Sequence, residues 1–265
     1  MYQCKEQHEQ IEQIEQIEHN NKTEKKTKCC QEYFVVKQCS KTKKMIKELC
    51  NEYTIGCIVH HENIRETLDY DVDHRCIIFE HFEGIDLFEL LDKNGSLHYD
   101  KSIFIIKQLL SAVDYLHSLG IAHMDIKLEN IMCNDAFKIK LIDFGEAIVF
   151  CYNNKTKLVS GIYGTESCSA PEVFICKEYN ADKTDIWSCG IVLYEMIYYQ
   201  IPWLKAHNEQ KSFKIHNIDI TENRKLNKKL FPNNTDLTNN LFMGMLNTKP
   251  EKRLLSKELL AFFSN

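Results

Sequence analysis

Glycine is scarce in this chain, with nine among 265 residues and none before Gly56. The segment before Gly56 therefore contains no glycine-rich turn able to press backbone N–H groups against a phosphate. No Cys-x-x-Cys occurs. The twelve cysteines are scattered, several within apolar runs (Cys50, Cys57, Cys76, Cys133, Cys189), which reads as buried free thiols in a reducing compartment and not as a disulfide scaffold. The adjacent Cys29 and Cys30 are by themselves a weak metal signal. No run approaches the ~20 apolar residues of a membrane span, and Met1 to Glu6 has no apolar signal region. A formal charge of −5 is too mild for a general nucleic-acid or membrane-surface binder. What remains is a chain 44% apolar, enough for a sizeable core in one large domain or two small lobes, and expected in the cytoplasm or the nucleus.

Residues 1–30 are biased in composition. Ile11, Ile14 and Ile17 recur every third residue among Glu and Gln, and a polar, basic stretch follows from Asn20 to Lys28. A period of three falls short of 3.6, so these isoleucines spiral around a helix without forming one stripe. The expectation is a disordered or marginally helical tail, with a coiled contact to a regulatory protein as the alternative. Asn20 to Gln31 lacks the alternation of a hairpin, so any sheet that follows should be reduced.

The rest of the chain is organised around two polar stretches. His123 to Asn130 places a carboxylate (Asp125), an amine (Lys127) and an amide (Asn130) on one short loop. Asp143-Phe144-Gly145 adds a second carboxylate ahead of a glycine, with the apolar runs Ile131-Met132 and Ile139 to Ile142 between. Moving a phosphoryl group asks little covalent chemistry of a protein; it requires orienting a hydroxyl, holding metal ions and neutralising charge on phosphate oxygens. Asp125 can accept a hydroxyl proton, Lys127 can neutralise a transferring phosphate, and Asn130 and Asp143 offer the hard oxygen ligands that Mg2+ prefers.

These stretches, with Ala170-Pro171-Glu172 after them, resemble the protein kinase signatures H-R-D-L-x-x-x-N, D-F-G and A-P-E, in that order. Lys127, two residues after Asp125, is similar to the serine/threonine subclass. The resemblance covers roughly residues 33–262. It implies an α+β, two-lobed kinase fold that uses ATP and Mg2+ on protein substrates with Ser or Thr hydroxyls. After the tail at 1–30, a reduced β-rich N-lobe and hinge would span 31–83 and a mainly helical C-lobe 84–265.

The resemblance also assigns roles along the chain. Tyr33 to Lys37 reads as a strand ending in the lysine that reaches the nucleotide phosphates, and the helical pattern from Lys44 to Ile58 should hold its glutamate partner. Glu52 is preferred over Glu48, which sits nearer the basic, solvent-facing start. Four residues on stands Gly56, where kinases place an apolar side chain against the D-F-G phenylalanine, so that contact is either thin or made by Ile55. Backbone groups of Glu80 and Phe82 would hydrogen-bond adenine beside Phe79, and Met132 joins the nucleotide-contacting set. Asp86 could bind ribose or a basic substrate residue, or be a plain N-terminal helix acid. Apolar spacing from Lys101 to Leu119 gives a long helix that Gly120 ends. Thr165 matches the threonine that holds the catalytic pair. Asp185 matches the buried aspartate that holds the catalytic-loop backbone, and Arg253 should pair with Glu172 in a structural role.

Two departures stand out. The missing glycine loop predicts weak ATP binding and leaves an inactive pseudokinase scaffold as the alternative reading. Met124 replaces the arginine that clamps an activation-loop phosphate in many kinases, which predicts activity independent of such a phosphate. Segments such as Glu52 to Gly56, His61 to Leu68, Asp143 to Phe150 and Pro202 to Ala206 are similar to the fungal kinases that regulate nutrient permeases and ion transporters.

Overall fold

The structure, a computed structural model, describes residues 14–19, 22–29, 32–38, 42–220, 225–232 and 234–264. The chain opens with three strands, β1 (Ile14–His19), β2 (Lys22–Cys29) and β3 (Glu32–Gln38). Helix α1 (Lys43–Gly56) follows, then β4 (Thr67–Asp71) and β5 (Cys76–Glu80). The five strands form one antiparallel sheet in the order β1-β2-β3-β5-β4.

Residues 14–19 and 22–29 are thus strands of the sheet, where the sequence reading expected a disordered or marginally helical tail. β1 and β2 run in register from Ile14 opposite Thr27 to His19 opposite Lys22, and β2 continues onto β3. A ladder is made of backbone groups and is templated by its neighbour, so β3 can organise β2, and β2 in turn β1, whose three-residue repeat matches neither sheet nor helix. The regulatory contact expected of the tail falls partly on residues 1–13, outside the described residues.

Helix α1 connects two apolar clusters. Its Leu49 packs with Val35, Ile77 and Phe79 under the sheet, whereas its last turn sends Ile55 into the large core that also contains Phe144. Ile55, the residue named as the alternative to Gly56, is thus buried in the same core as Phe144. Gly56 itself is required by close approach, since a Cβ there would lie 2.0 Å from Thr67 Oγ1 on β4.

After β6 (Ile85–Asp86) the chain becomes mainly helical. Helix α2 (Leu87–Asn94) leads to α3 (Tyr99–Ser118), whose Ile105, Ile106, Leu109, Leu110, Val113 and Leu116 are buried at helical spacing. Gly120 ends it at φ +74°, passing so close to Cys151 that a Cβ would meet that carbonyl oxygen. Short strands then frame the polar loops: β7 (Ile121–Ala122), β8 (Ile131–Cys133), β9 (Ile139–Leu141), β10 (Ile148–Val149) and a hairpin of β11 (Cys151–Tyr152) with β12 (Lys155–Thr156). Helix α4 (Pro171–Ile175) precedes α5 (Ala181–Tyr198), which is buried on nearly every side and forms the axis of the large core. Helices α6 (Lys211–Ile218), α7 (Asp236–Met245) and α8 (Ser256–Leu260) complete it. No helix among the described residues is long and apolar enough to cross a membrane.

Candidate active site

Strand β3 and helix α1 supply the first half of the site. Lys37, buried at the end of β3, donates to Glu52 Oε2 at 2.5 Å and to Asp143 Oδ1 at 3.1 Å. Glu52 is therefore the partner that the sequence reading preferred over Glu48. Burial pushes the Glu52 carboxyl up, more than the Lys37 charge pulls it down.

The loop between β7 and β8 supplies the second half, and buried contacts fix its backbone. Asp185, on α5, accepts the N–H of His123 at 2.8 Å and of Met124 at 2.9 Å, and His117 Nε2 lies 2.9 Å from the same carboxylate. Met124 sits at φ +68° and Asp143 at φ +66°, left-handed conformations that cost a non-glycine residue energy and persist only where the surroundings over-determine them. The His123 ring stacks at a tilt on Phe144, 5.1 Å between centroids, and its Nε2 is 3.0 Å from Ile142 O.

Three side chains converge on the Asp125 carboxylate. Thr165 Oγ1 donates to its Oδ1 at 3.0 Å, while Lys127 Nζ and Asn130 Nδ2 each approach Oδ2 at 3.0 Å. Lys127 also donates to Thr165 Oγ1 at 3.1 Å. Gly164 makes this convergence possible: at φ +69° it runs so close to the loop that a Cβ would lie 2.3 Å from Met124 O and 3.0 Å from Asp125 Oδ1. Burial acts to lower the Lys127 pKa, but the Asp125 and Glu129 carboxylates outweigh it and hold the ammonium above the usual lysine range.

The site's oxygen donors fit a magnesium ion. Asn130 commits its amide nitrogen to Asp125 O at 2.8 Å as well as to Oδ2, which fixes the flip and leaves Oδ1 as its acceptor. Asp143 adds a carboxylate. Among the described residues no group of three or more His, Cys, Asp or Glu could hold a metal, so an ion here would draw its remaining ligands from water and phosphate, as Mg2+ commonly does.

The segment expected to hold adenine is the end of β5, with Phe79 and Glu80, and the hinge after it. The Glu80 N–H is committed to Glu66 O at 3.1 Å, and its carboxylate accepts from Lys140 at 2.6 Å, an ion pair that ties the sheet to β9. Phe82 lies half-buried between β5 and β6, and Met132 on β8 pairs in register with Asp86 and Lys140. Asp86 caps α2, accepting the N–H of Glu89 at 2.7 Å, which is the plain helix-acid role left open by the sequence.

Several residues carried no usable sequence signal. Asn51, His117 and Lys140 are ordinary polar residues in their local stretches, and only tertiary contacts single them out. Asn51 Nδ2 lies within 3.1 Å of the carbonyls of Phe144, Gly145 and Ala147. Glu195 is a fourth: burial, aided by nearby Glu129, pushes its carboxyl up to about 8. Nothing in its helical setting marked it out.

Over residues 7–262 the chain matches the family model of the protein kinase domain. It is similar to the nitrogen permease reactivator protein of Saccharomyces cerevisiae, 40% identical over 174 residues that cover 64% of this chain and 22% of the relative. Serine/threonine-protein kinase ppk8 of Schizosaccharomyces pombe is 37% identical over 180 residues, 66% of this chain and 34% of the relative. Serine/threonine-protein kinase HAL4/SAT4 of Saccharomyces cerevisiae is 29% identical over 225 residues, 82% of this chain and 37% of the relative. The chain thus spans between 22% and 37% of the length of these relatives.

Proposed function

Because the chain belongs to the protein kinase family, we propose that it transfers the γ-phosphoryl group of ATP, with Mg2+, to serine or threonine hydroxyls of proteins. The observation that carries this reading is the Thr165 hydroxyl bonded to both Asp125 and Lys127. A carboxylate has about four lone-pair positions. Thr165, Lys127 and Asn130 occupy three on Asp125, leaving a position on Oδ1 for the hydroxyl of a substrate.

In this reading Asp125 orients that hydroxyl and takes its proton as the new P–O bond forms and the bond from the γ-phosphorus to the departing ADP breaks, and Lys127 neutralises charge on the moving phosphoryl group. Asn130 and Asp143 would hold Mg2+, which would supply positive charge to offset that of the nucleotide phosphates. Lys37, held by Glu52, would anchor the phosphates. The adenine would lie against Met132 and the hinge, with Phe82 supplying backbone groups and Glu80, its N–H already committed, offering its carbonyl. The relative named for reactivating a nitrogen permease makes transporter control the first pathway to test.

The test is phosphoryl transfer from labelled Mg-ATP to a mixed peptide library, with Asp125→Asn and Asp143→Ala beside the wild type. Transfer to serine or threonine that both substitutions abolish is the expected result. The absence of glycine before Gly56 favours a second reading, a nucleotide-binding scaffold. Under that reading the wild type gives no transfer but still shows a thermal shift with Mg-ATP.

A further inference from the structure

Asn51 belongs to none of the kinase signatures, yet its side chain reaches three backbone carbonyls: Phe144 O at 3.1 Å, Gly145 O at 3.1 Å and Ala147 O at 2.8 Å. The two ends of an amide have the same shape, and three acceptors around one end identify it as the NH2. Two hydrogens serving three carbonyls means that one is shared. Asn51 directly precedes Glu52 on α1, so the placement of the helix that brings Glu52 to Lys37 also brings Asn51 to the segment after Asp143. Gly145 permits the approach, since a Cβ there would lie 3.3 Å from Glu48 Cβ on the same helix.

Met124 gives this contact its significance. Its side chain is buried, with the Thr184 hydroxyl 3.5 Å from its sulfur, and it offers no cation to a phosphate on the following segment. That segment is nevertheless tied along its length without one. Ile148 and Val149 pair with Ala122 and Ile121, β11 pairs with β12, and Val159 pairs with Tyr179, whose hydroxyl donates to Gly161 O at 2.7 Å. Its first residues are held to α1 by Asn51.

We propose that Asn51 is a positioning residue that fastens helix α1 to the backbone following Asp143, so that Lys37, Glu52 and Asp143 stay assembled in the unphosphorylated protein. Its consequence for turnover rests on the kinase reading above; the fastening itself does not.

The experiment uses the whole chain, phosphatase-treated, as wild type, Asn51→Ala and Asn51→Asp. Three readouts are taken: amide hydrogen exchange over residues 144–150, peptide kinetics, and Tm. With the net worth of one or two hydrogen bonds removed, Asn51→Ala should speed exchange in that segment about tenfold. It should lower kcat by a similar factor with the peptide KM unchanged and Tm nearly so. Asn51→Asp, which turns a carboxylate on three carbonyls, should do more. Unchanged exchange in both variants overturns the proposal, as does faster exchange with unaltered kcat, or a loss spread evenly over the chain together with a large fall in Tm. A wild type without transfer defeats the kinase reading instead, and exchange over 144–150 still decides whether Asn51 is the fastening.

Discussion

Asp185 accepts the backbone N–H of Met124 at 2.9 Å, and Met124 is held at φ +68°. A buried carboxylate on the central helix thereby secures a strained residue beside Asp125. Asp185→Ala should orphan this N–H and that of His123, at about 1–3 kcal/mol for each buried donor left unmade. Asp185→Asn, which retains one acceptor, should fall between. Urea unfolding measures the cost, and a change in Asp185→Ala below about 0.5 kcal/mol, the range of an ordinary surface substitution, would contradict this role.

Arg253 meets Glu172 through both terminal nitrogens, Nη1 to Oε1 at 2.6 Å and Nη2 to Oε2 at 3.0 Å, with both residues buried. Removing one partner leaves an uncompensated buried charge, so Arg253→Met should lose about 3–5 kcal/mol. Adding Glu172→Leu should recover part of that loss. If the double variant is no more stable than Arg253→Met, the argument from charge burial fails.

His216 should make the fold sensitive to acid. It is fully buried among Trp187, Trp203, Phe213 and Phe231, its Nε2 is 2.8 Å from Leu246 O, and its Nδ1 has no hydrogen-bond partner. Burial lowers its pKa from 6.5 to about 4. The unfolded chain therefore takes up a proton below about 6.5 that the folded chain refuses until about 4. Stability falls as pH drops through that window, by roughly 3 kcal/mol at its lower end. His216→Gln retains an amide donor and cannot titrate, so its Tm against pH should be flatter than that of the wild type between pH 6.5 and 4. Parallel curves would remove His216 as the cause.

Phosphate on the activation segment should be dispensable. With Met124 in the arginine's position, phosphatase treatment is expected to leave kcat within about twofold, because no charge-assisted contact is available to be lost there. The comparison is one preparation assayed before and after treatment, with loss of the phosphate verified by mass spectrometry. Loss of turnover would show that another cation reads the modification.

The candidate constellation is legible because reaction chemistry restricts residue types over short spacings. A loop with Asp125, Lys127 and Asn130 can be recognised by itself, and Thr165 follows from its place after Gly164. Glu52 is distinguished from Glu48 by lying farther from the basic, solvent-facing start of its helix, and Lys37 contacts Glu52. Asp86 could not be assigned, because a helix-capping acid and a ribose ligand look the same in one dimension; the structure shows the cap.

The sequence by itself determined the order of the polar loops, the family they resemble and the helices whose apolar faces repeat at 3.6 residues. Tertiary structure alone decided the first two strands, since backbone ladders form on a neighbour and leave little trace in side-chain pattern. It also decided the joining of α1 to the large core through Ile55, and the contact of Asn51 with three carbonyls. Asparagine is common on polar helix faces, and only the approach of another backbone distinguishes one that fastens from one that is solvated. Local chemistry can be read from neighbours in sequence; contacts between generic groups far apart in the chain exist only once it has folded.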